Sequence, residues 1–358
     1  MNSNKFLLLS VAATGAVAAS ALAQVELQPL WSLNPGDRPY LTTDNTQRGM
    51  DYNPVTGNVL LVNRTGGLSV VRLDGATGAD LGTLSLGEGI VSGGTFAGSM
   101  IGVADDGAIY MGNLATDTTT TPFKLYRWAN EGATPTVAFS GDPSAGFITG
   151  VANSKRFGDT LDVRGAGADT QVLLAARGGG DAAALITGDG LNFTGLPIDT
   201  DAGDGDIGLG VAFGSGNTFW GTALGRTLRH IDVNVGVSPF AGTSVGNFGA
   251  ADGVPTSVTI IGVDVANGWL AGIDLIAGPD KVHLFDISGG TPVLLDTETL
   301  PVDNANINGV GSVAFGGGKL FVLDTNNGLH AYQVIPEPGT YALLGLGLGA
   351  LWLLRRRS

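Results

Sequence analysis

A short apolar run recurs along this chain at spacings of about 50 to 60 residues. The copies are Asn58-Val-Leu-Leu-Val, Ala108-Ile-Tyr-Met-Gly, Gln171-Val-Leu-Leu-Ala, Thr218-Phe-Trp-Gly-Thr, Gly268-Trp-Leu-Ala-Gly and Lys319-Leu-Phe-Val-Leu. Each is too short for a helix and bounded by turn residues, so it predicts a buried strand. Before most copies stands another short apolar segment and an Asp-Gly, Asn-Gly or Gly-Gly pair, which supplies the positive φ of a tight hairpin. After each comes a third segment with strand alternation. In residues 281–286, Val282 and Leu284 share one face while Lys281, His283 and Phe285 share the other. A fourth segment closes most units, at residues 80–86, 136–139, 193–198, 237–240 and 291–295.

A fixed period of four-stranded units is the signature of a β-propeller. The sixth unit stops at Val334 without a fourth strand, whereas residues 25–33 form a spare strand near the N-terminus. The pattern therefore predicts an all-β propeller, six four-stranded blades with the N-terminal strand closing the last. Such closure leaves no long open edge. The extra length falls in loops at 87–100, 141–155, 199–207 and 245–257. The third unit, residues 156–198, is the least regular, so seven blades or a pair of sandwiches stand as alternatives.

The two ends of the chain break this pattern. Lys5, an apolar run over residues 6–17 and Ala21-Leu22-Ala23 spell a secretory signal cut by signal peptidase after Ala23. At the other end come Pro336-Glu337-Pro338, an apolar stretch over 341–354 and Arg355-Arg356-Arg357. Fourteen residues of helix rise about 21 Å, short of a hydrocarbon core of about 30 Å. A strained span with the arginines left in the cytoplasm is the expectation. The domains expected are thus a signal peptide (1–23), a propeller (24–335) and a tail (336–358).

The order Pro-Glu-Pro, short apolar helix, arginine cluster resembles the PEP-CTERM sorting signal of Gram-negative bacteria. The resemblance implies processing by exosortase, transient anchoring in the inner membrane through the tail, and release to the cell surface. It also implies association with exopolysaccharide and biofilm matrix. The core resembles secreted propellers of unknown function that accompany this tail, on pieces such as Pro35-Gly-Asp-Arg-Pro-Tyr-Leu41 and Arg156-Phe-Gly-Asp-Thr-Leu-Asp162. That resemblance brings no site with it.

Composition narrows the partners. There is no cysteine, so the exported domain is held by its core alone. The formal charge is −14, and removing Lys5 and the three tail arginines leaves −18. Charge of this sign excludes nucleic acid and anionic lipid as partners by overall attraction. The 59 glycines alternate with Val, Ile, Leu and Phe, as turns between many strands require.

Few motifs carry chemistry. Gly242-Thr-Ser-Val-Gly246 has the spelling of a nucleophile elbow, but no helical period follows it, so a glycine-rich inter-blade loop is the reading. The three histidines, His230, His283 and His330, each fall on the third strand of a unit, where packing or surface roles are expected. Asp199, Asp201, Asp204 and Asp206 alternate with glycine and could supply oxygens to calcium, the one cofactor considered. The helix-loop-helix calcium spacing is not met, and a solvated acidic loop is the alternative. Propeller sites sit at an end of the central channel. There the sequence offers Arg48, Asn63, Asn113 and, as the candidate ligand-binding set, Arg64, Arg177, Asp274 and Asp324. The expected function is a non-catalytic propeller that binds or scaffolds a polysaccharide or surface protein in the matrix. A secreted hydrolase, lyase or lactonase with a calcium-assisted channel site is the alternative, and a self-assembling surface protein the third.

Overall fold

The computed structural model describes residues 25–145, 147, 152–275, 278–303 and 310–336. The chain divides into two units, Glu26–Ile335 and a second made of Met1–Val25 with Pro336–Ser358, of which only Val25 and Pro336 are described. The expected signal peptide and the expected helix and arginine cluster of the tail lie outside the described residues. Among the described residues no helix is long and apolar enough to cross a membrane.

Strand β1 (Val25–Leu33) comes first. It is followed by β2–β5 (Gln47–Tyr52, Asn58–Asn63, Ser69–Asp74, Asp80–Thr83) and β6–β9 (Ile101–Val103, Ile109–Gly112, Phe123–Trp128, Thr136–Gly141). Next are β10–β13 (Leu161–Arg164, Gln171–Ala175, Ala182–Thr187, Phe193–Thr200) and β14–β17 (Gly210–Phe213, Thr218–Thr222, Leu228–Asn234, Phe240–Phe248). Last come β18–β21 (Val258–Asp264, Trp269–Asp274, Pro279–Asp286, Val293–Asp303) and β22–β24 (Gly311–Gly316, Lys319–Asp324, Gly328–Pro336). Among the described residues these strands group as six four-stranded units. The final sheet runs β22-β23-β24-β1, so the N-terminal strand takes its outermost place. β13 and β17 pair in parallel, which joins two units into one eight-stranded sheet. The first strands neighbour one another in the order β2, β6, β10, β14, β18, β22 and back to β2. The molecule is a β-propeller.

The recurring apolar run is the second strand of each unit, and its place explains its composition. Sheets packed on both faces need apolar residues at every position. β3, β7, β11, β15, β19 and β23 are accordingly buried from end to end apart from a half-buried first residue in most. Outer strands face water, and β5 is exposed along its whole length. The fourth strand of the fourth unit is Phe240–Phe248 rather than the expected 237–240. Val237 is 44 % exposed, outside the core that an apolar strand would join. The glycine-rich segment read as a loop around Ser244 is the strand itself.

The inner ring is tight. A Cβ on Gly49 of β2 would lie 2.5 Å from the Ile101 nitrogen of β6, so only glycine lets these first strands meet. Side chains latch neighbouring units. Asp51 accepts the Val103 N–H at 2.6 Å, Asp162 accepts the Phe213 N–H at 2.7 Å, and the Ser312 hydroxyl donates to the Met50 carbonyl at 2.8 Å.

Candidate functional site

The channel has two unlike ends. Where the first strands begin, a cavity of about 550 Å³ is lined by Arg48, Arg64, Arg156 and Arg177, with Asp159 as the one acidic side chain among the described lining residues. Asn45, Phe96, Leu114, Asn153 and Val310 complete the wall. Four cations thus face one carboxylate in a protein whose overall charge is −14.

The arginines come from four places. Arg48 opens β2, Arg64 follows β3, Arg177 follows β11, and Arg156 stands in the segment leading into β10. Asp159 organises two of them. Arg156 grips it with both arms, Nε to Oδ2 at 2.6 Å and Nη2 to Oδ1 at 2.8 Å, and Arg48 Nη2 lies 3.7 Å from Oδ1. Gly158 beside it has φ +102°, and a Cβ there would stand 2.0 Å from the Asn113 carbonyl oxygen. That glycine lets the segment press on the second unit and sets Asp159 at the mouth.

The other two arginines form no ion pair among the described residues; Asp44 acts on Arg64, and Asp159 on Arg177, only at longer range. Arg64 donates from Nη2 to the Asn45 carbonyl at 2.6 Å, and its guanidinium carbon lies 3.7 Å over the Phe96 ring. The backbone N–H of Arg177 donates to the Arg156 carbonyl at 2.9 Å, which ties their segments together. Among the described residues, the buried Nε atoms of Arg48 and Arg64 and the Nη1 of Arg64 have no hydrogen-bond partner. Burial weakens the hold of these groups on their protons. It lowers Arg48 and Arg177 below the usual arginine range, and brings Arg64 down to about 10, with the charge of Arg48 adding to the effect. The hydrogen bond to Asp159 raises Arg156 instead.

Of the residues singled out in the sequence, Arg64 and Arg177 meet here, with Arg48. Asp274 and Asp324 do not line this cavity. Both end second strands and are turned into their units. Asp274 accepts from His283 Nε2 at 3.0 Å, and Asp324 accepts from Asn327 Nδ2 at 2.6 Å. Arg156 and Asp159 were missed as site residues. Their signal was a charge pair at i, i+3 within Arg156-Phe-Gly-Asp159, ahead of a first strand.

The four loop aspartates do not form a calcium cage. Asp206 is neutralised by Arg229 at 2.7 Å and Arg226 at 3.2 Å, and Asp201 accepts the Ser244 N–H and hydroxyl. Asp199 and Asp204 lie near Asp181, whose carboxyl is pushed up to about 6 by burial first and then by Asp199. Among the described residues no three His, Asp or Glu side chains are grouped to hold a metal.

The histidines are internal braces. His230 stacks on Trp220 with ring centroids 4.2 Å apart. His330 Nε2 bonds the Asn327 carbonyl at 2.9 Å. His283 Nδ1 lies 2.8 Å from the Thr297 hydroxyl, while Nε2 meets Asp274. This Thr-His-Asp chain has the members of a catalytic triad, but it laces β19, β20 and β21 together, with His283 and Asp274 buried and Thr297 half-buried. Ser244 sits inside β17 with Arg229 and Asp201, and only a single 3-10 turn, Ala250–Asp252, follows that strand.

At its opposite end the channel widens to about 640 Å³, lined by Asp51, Asp105, Asp162 and Arg164 among residues of all six first strands. Burial, then the neighbouring Asp162, pushes Asp51 up to about 7, and burial pushes Asp162 up to about 6. These groups hold protons more tightly folded than unfolded, so they oppose folding once ionised, and stability falls as pH rises. Carboxyls lowered by hydrogen bonds, such as Asp74 and Asp189, act only below pH 4, since both their pKa values lie there. The melting temperature is therefore expected to fall between pH 4.5 and 7.5. With Asp51 raised to about 7 and Asp162 to about 6, the two bound the effect at about 7 kcal/mol, and screening by channel water reduces it to about 3 kcal/mol, or roughly 6 °C. Differential scanning calorimetry reads this, and a double Asp51→Asn/Asp162→Asn variant should flatten the slope.

This is a β-propeller with a cationic channel mouth. Residues 39–170 match a domain of unknown function, DUF4623, and residues 334–357 match the PEP-CTERM protein-sorting motif. The chain therefore carries a motif that implies exosortase-dependent export in Gram-negative bacteria toward the cell surface. No match is found among curated proteins. A DUF4623 family protein from Bacteroides eggerthii DSM 20697 superposes with a TM-score of 0.57 at 15 % identity, over 83 % of this chain and 72 % of that one. The PQQ-bound aldose sugar dehydrogenase from Streptomyces coelicolor gives 0.52 at 13 %, over 87 % and 99 %. The structure of U3-55K gives 0.51 at 11 %, over 87 % and 98 %. At such identities these neighbours share the fold alone.

Proposed function

We propose that this protein is a sorted, non-catalytic binding module of the extracellular matrix, and that its ligand sits in the arginine-lined mouth of the channel. The observation that carries this reading is the convergence of four arginines on one cavity with one carboxylate among them. Buried donors without partners are rare in folded proteins, and they mark a place where a ligand or water completes the bonding. The acid and base groups that might suggest turnover have structural work: the His283 chain braces a unit, and Asp51 and Asp162 latch first strands. Anchoring by the tail before processing, and scaffolding of exopolysaccharide afterwards, complete the reading.

The test is a glycan array probed with the purified protein and with an Arg64→Ala/Arg177→Ala variant, with and without calcium. Two charge-assisted contacts of about 1.5 kcal/mol each predict a loss of roughly a hundredfold in affinity. Bound glycans that gain new chain ends during incubation would make the protein an enzyme. Binding untouched by the double substitution would move the site elsewhere.

A further inference from the structure

We infer that the ligand of the arginine mouth is an acidic oligosaccharide, entered by one chain end, whose acid groups meet Arg64 and Arg177 while a sugar ring lies against Phe96. This rests on the preceding reading that the mouth is the binding site and adds the chemical class of what it takes.

The cavity itself argues for the class. Its arginines are divided by Asp159 into two pairs. Arg48 and Arg156 lie within 4 Å of that carboxylate, whereas Arg64 and Arg177 form no ion pair among the described residues and feel Asp44 and Asp159 only at longer range. Arg48, 8 % exposed, still keeps a buried Nε without partner beside the Arg64 donors. Guanidinium forks match planar carboxylates and tetrahedral sulfates, and they bind them with direction as well as charge. A lone inorganic ion would leave most of about 550 Å³ unfilled.

The wall is not purely cationic. Phe96 is 42 % exposed with Arg64 stacked on one face of its ring, and Leu114 and Val310 lie in the same wall. A sugar offers an apolar C–H face to such a surface and acid groups to the arginines at its edges. The rest of the protein limits the alternatives. A chain of charge −14 repels a long polyanion everywhere but the mouth, and duplex nucleic acid, with a charge every 1.7 Å, has no end narrow enough for this cavity. A flexible acidic glycan with about one charge per sugar can insert an end and leave its remainder in water.

Isothermal titration of the purified protein distinguishes the outcomes. The probes are oligogalacturonate, oligomannuronate, a sulfated galactan oligomer, a neutral galactan oligomer, inorganic phosphate and inorganic sulfate. At least one acidic oligomer should bind roughly a hundredfold more tightly than the neutral one, and weaken severalfold between 50 and 300 mM salt, as expected for charge-driven binding. Whether uronates or the sulfated oligomer lead identifies the acid group. Arg64→Ala and Arg177→Ala should each lose about tenfold. Phe96→Ala should weaken the oligomer about fivefold and inorganic sulfate less, since the ring also carries Arg64, a split that general unfolding would not give. If the neutral oligomer binds equally well, or phosphate binds as well as any oligomer, while the arginine substitutions still abolish binding, the ligand class is wrong and the site stands. If no probe binds, or binding ignores the arginines, both readings fall.

Discussion

A chain lacking residues 26–33 is expected to lose cooperative folding and to aggregate when heated well below the melting point of the full protein. β1 is outermost in the last sheet yet comes from the other end of the sequence, so it alone joins the chain termini through a hydrogen-bonded sheet. Leu27 and Leu33 are buried, at 1 % and 8 % exposure, and Trp31 packs near Phe321 with ring centroids 6.1 Å apart. Burial of two such aliphatic side chains and part of an indole contributes about 5 kcal/mol at most, a large share of the 5–15 kcal/mol that holds a typical domain together. Removal also strips β24 of its partner and leaves an open edge, a template for pairing with other chains. The bond from the Leu27 N–H to Asp296 Oδ2, 2.7 Å long, ties the strand to β21 of the preceding unit and is lost as well. Light scattering during thermal melts, with and without the deletion, reads the result. Restoring residues 25–33 through a flexible linker after residue 336 should recover the melting temperature. If the shortened chain melts within 3 °C of the full one, the strand is decoration and closure comes from the inner ring.

That closure was legible in the sequence because it is a matter of pattern. Six copies of one apolar run marked the second strands, since burial on both faces leaves little freedom in what they contain. The spare segment at 25–33 had strand alternation with nowhere else to pair. The outer strand of the fourth unit was misread for the opposite reason. Its residues, from Phe240 to Phe248, face water on one side and include Gly242 and Gly246, so they look like a loop, while the apolar Val237 beside them is exposed. The site was half legible. Arg64 and Arg177 announced themselves by their place after second strands. Asp274 and Asp324 stand close by, as the last residues of second strands, and nothing local says that His283 and Asn327 would turn them inward. The loop with Asp199, Asp201, Asp204 and Asp206 resembled a cation site in one dimension, but Arg226, Arg229 and Ser244 come from elsewhere in the chain and disperse it. Convergence in space is what a linear pattern does not carry.

Asp159 is where convergence concentrates the energy, and replacing it should give the largest loss of any single residue at the mouth. It is 7 % exposed, accepts two short bonds from Arg156 and lies beside Arg48. Asp159→Ala leaves two guanidinium groups close together with no counter-charge in a partly dry wall. Removing one member of a buried ion pair typically costs 3–5 kcal/mol, which at about 2 °C per kcal/mol lowers the melting temperature by roughly 6–10 °C. Arg156→Ala should cost less, because Asp159 then keeps Arg48. The cycle with Arg48→Ala separates charge from shape: substituting both should cost less than the two single losses added together, because the second removal relieves the repulsion left by the first. Binding should move the other way. Asp159→Asn takes away the acid that grips Arg156 and lies beside Arg48, so below its melting point the variant should bind acidic oligosaccharide several-fold more tightly at 50 mM salt than the parent. A variant with weaker binding in the folded state would mean that Asp159 orders the arginines for the ligand rather than competing with it. The measured sign thus decides whether this carboxylate is a rival of the ligand or part of its seat.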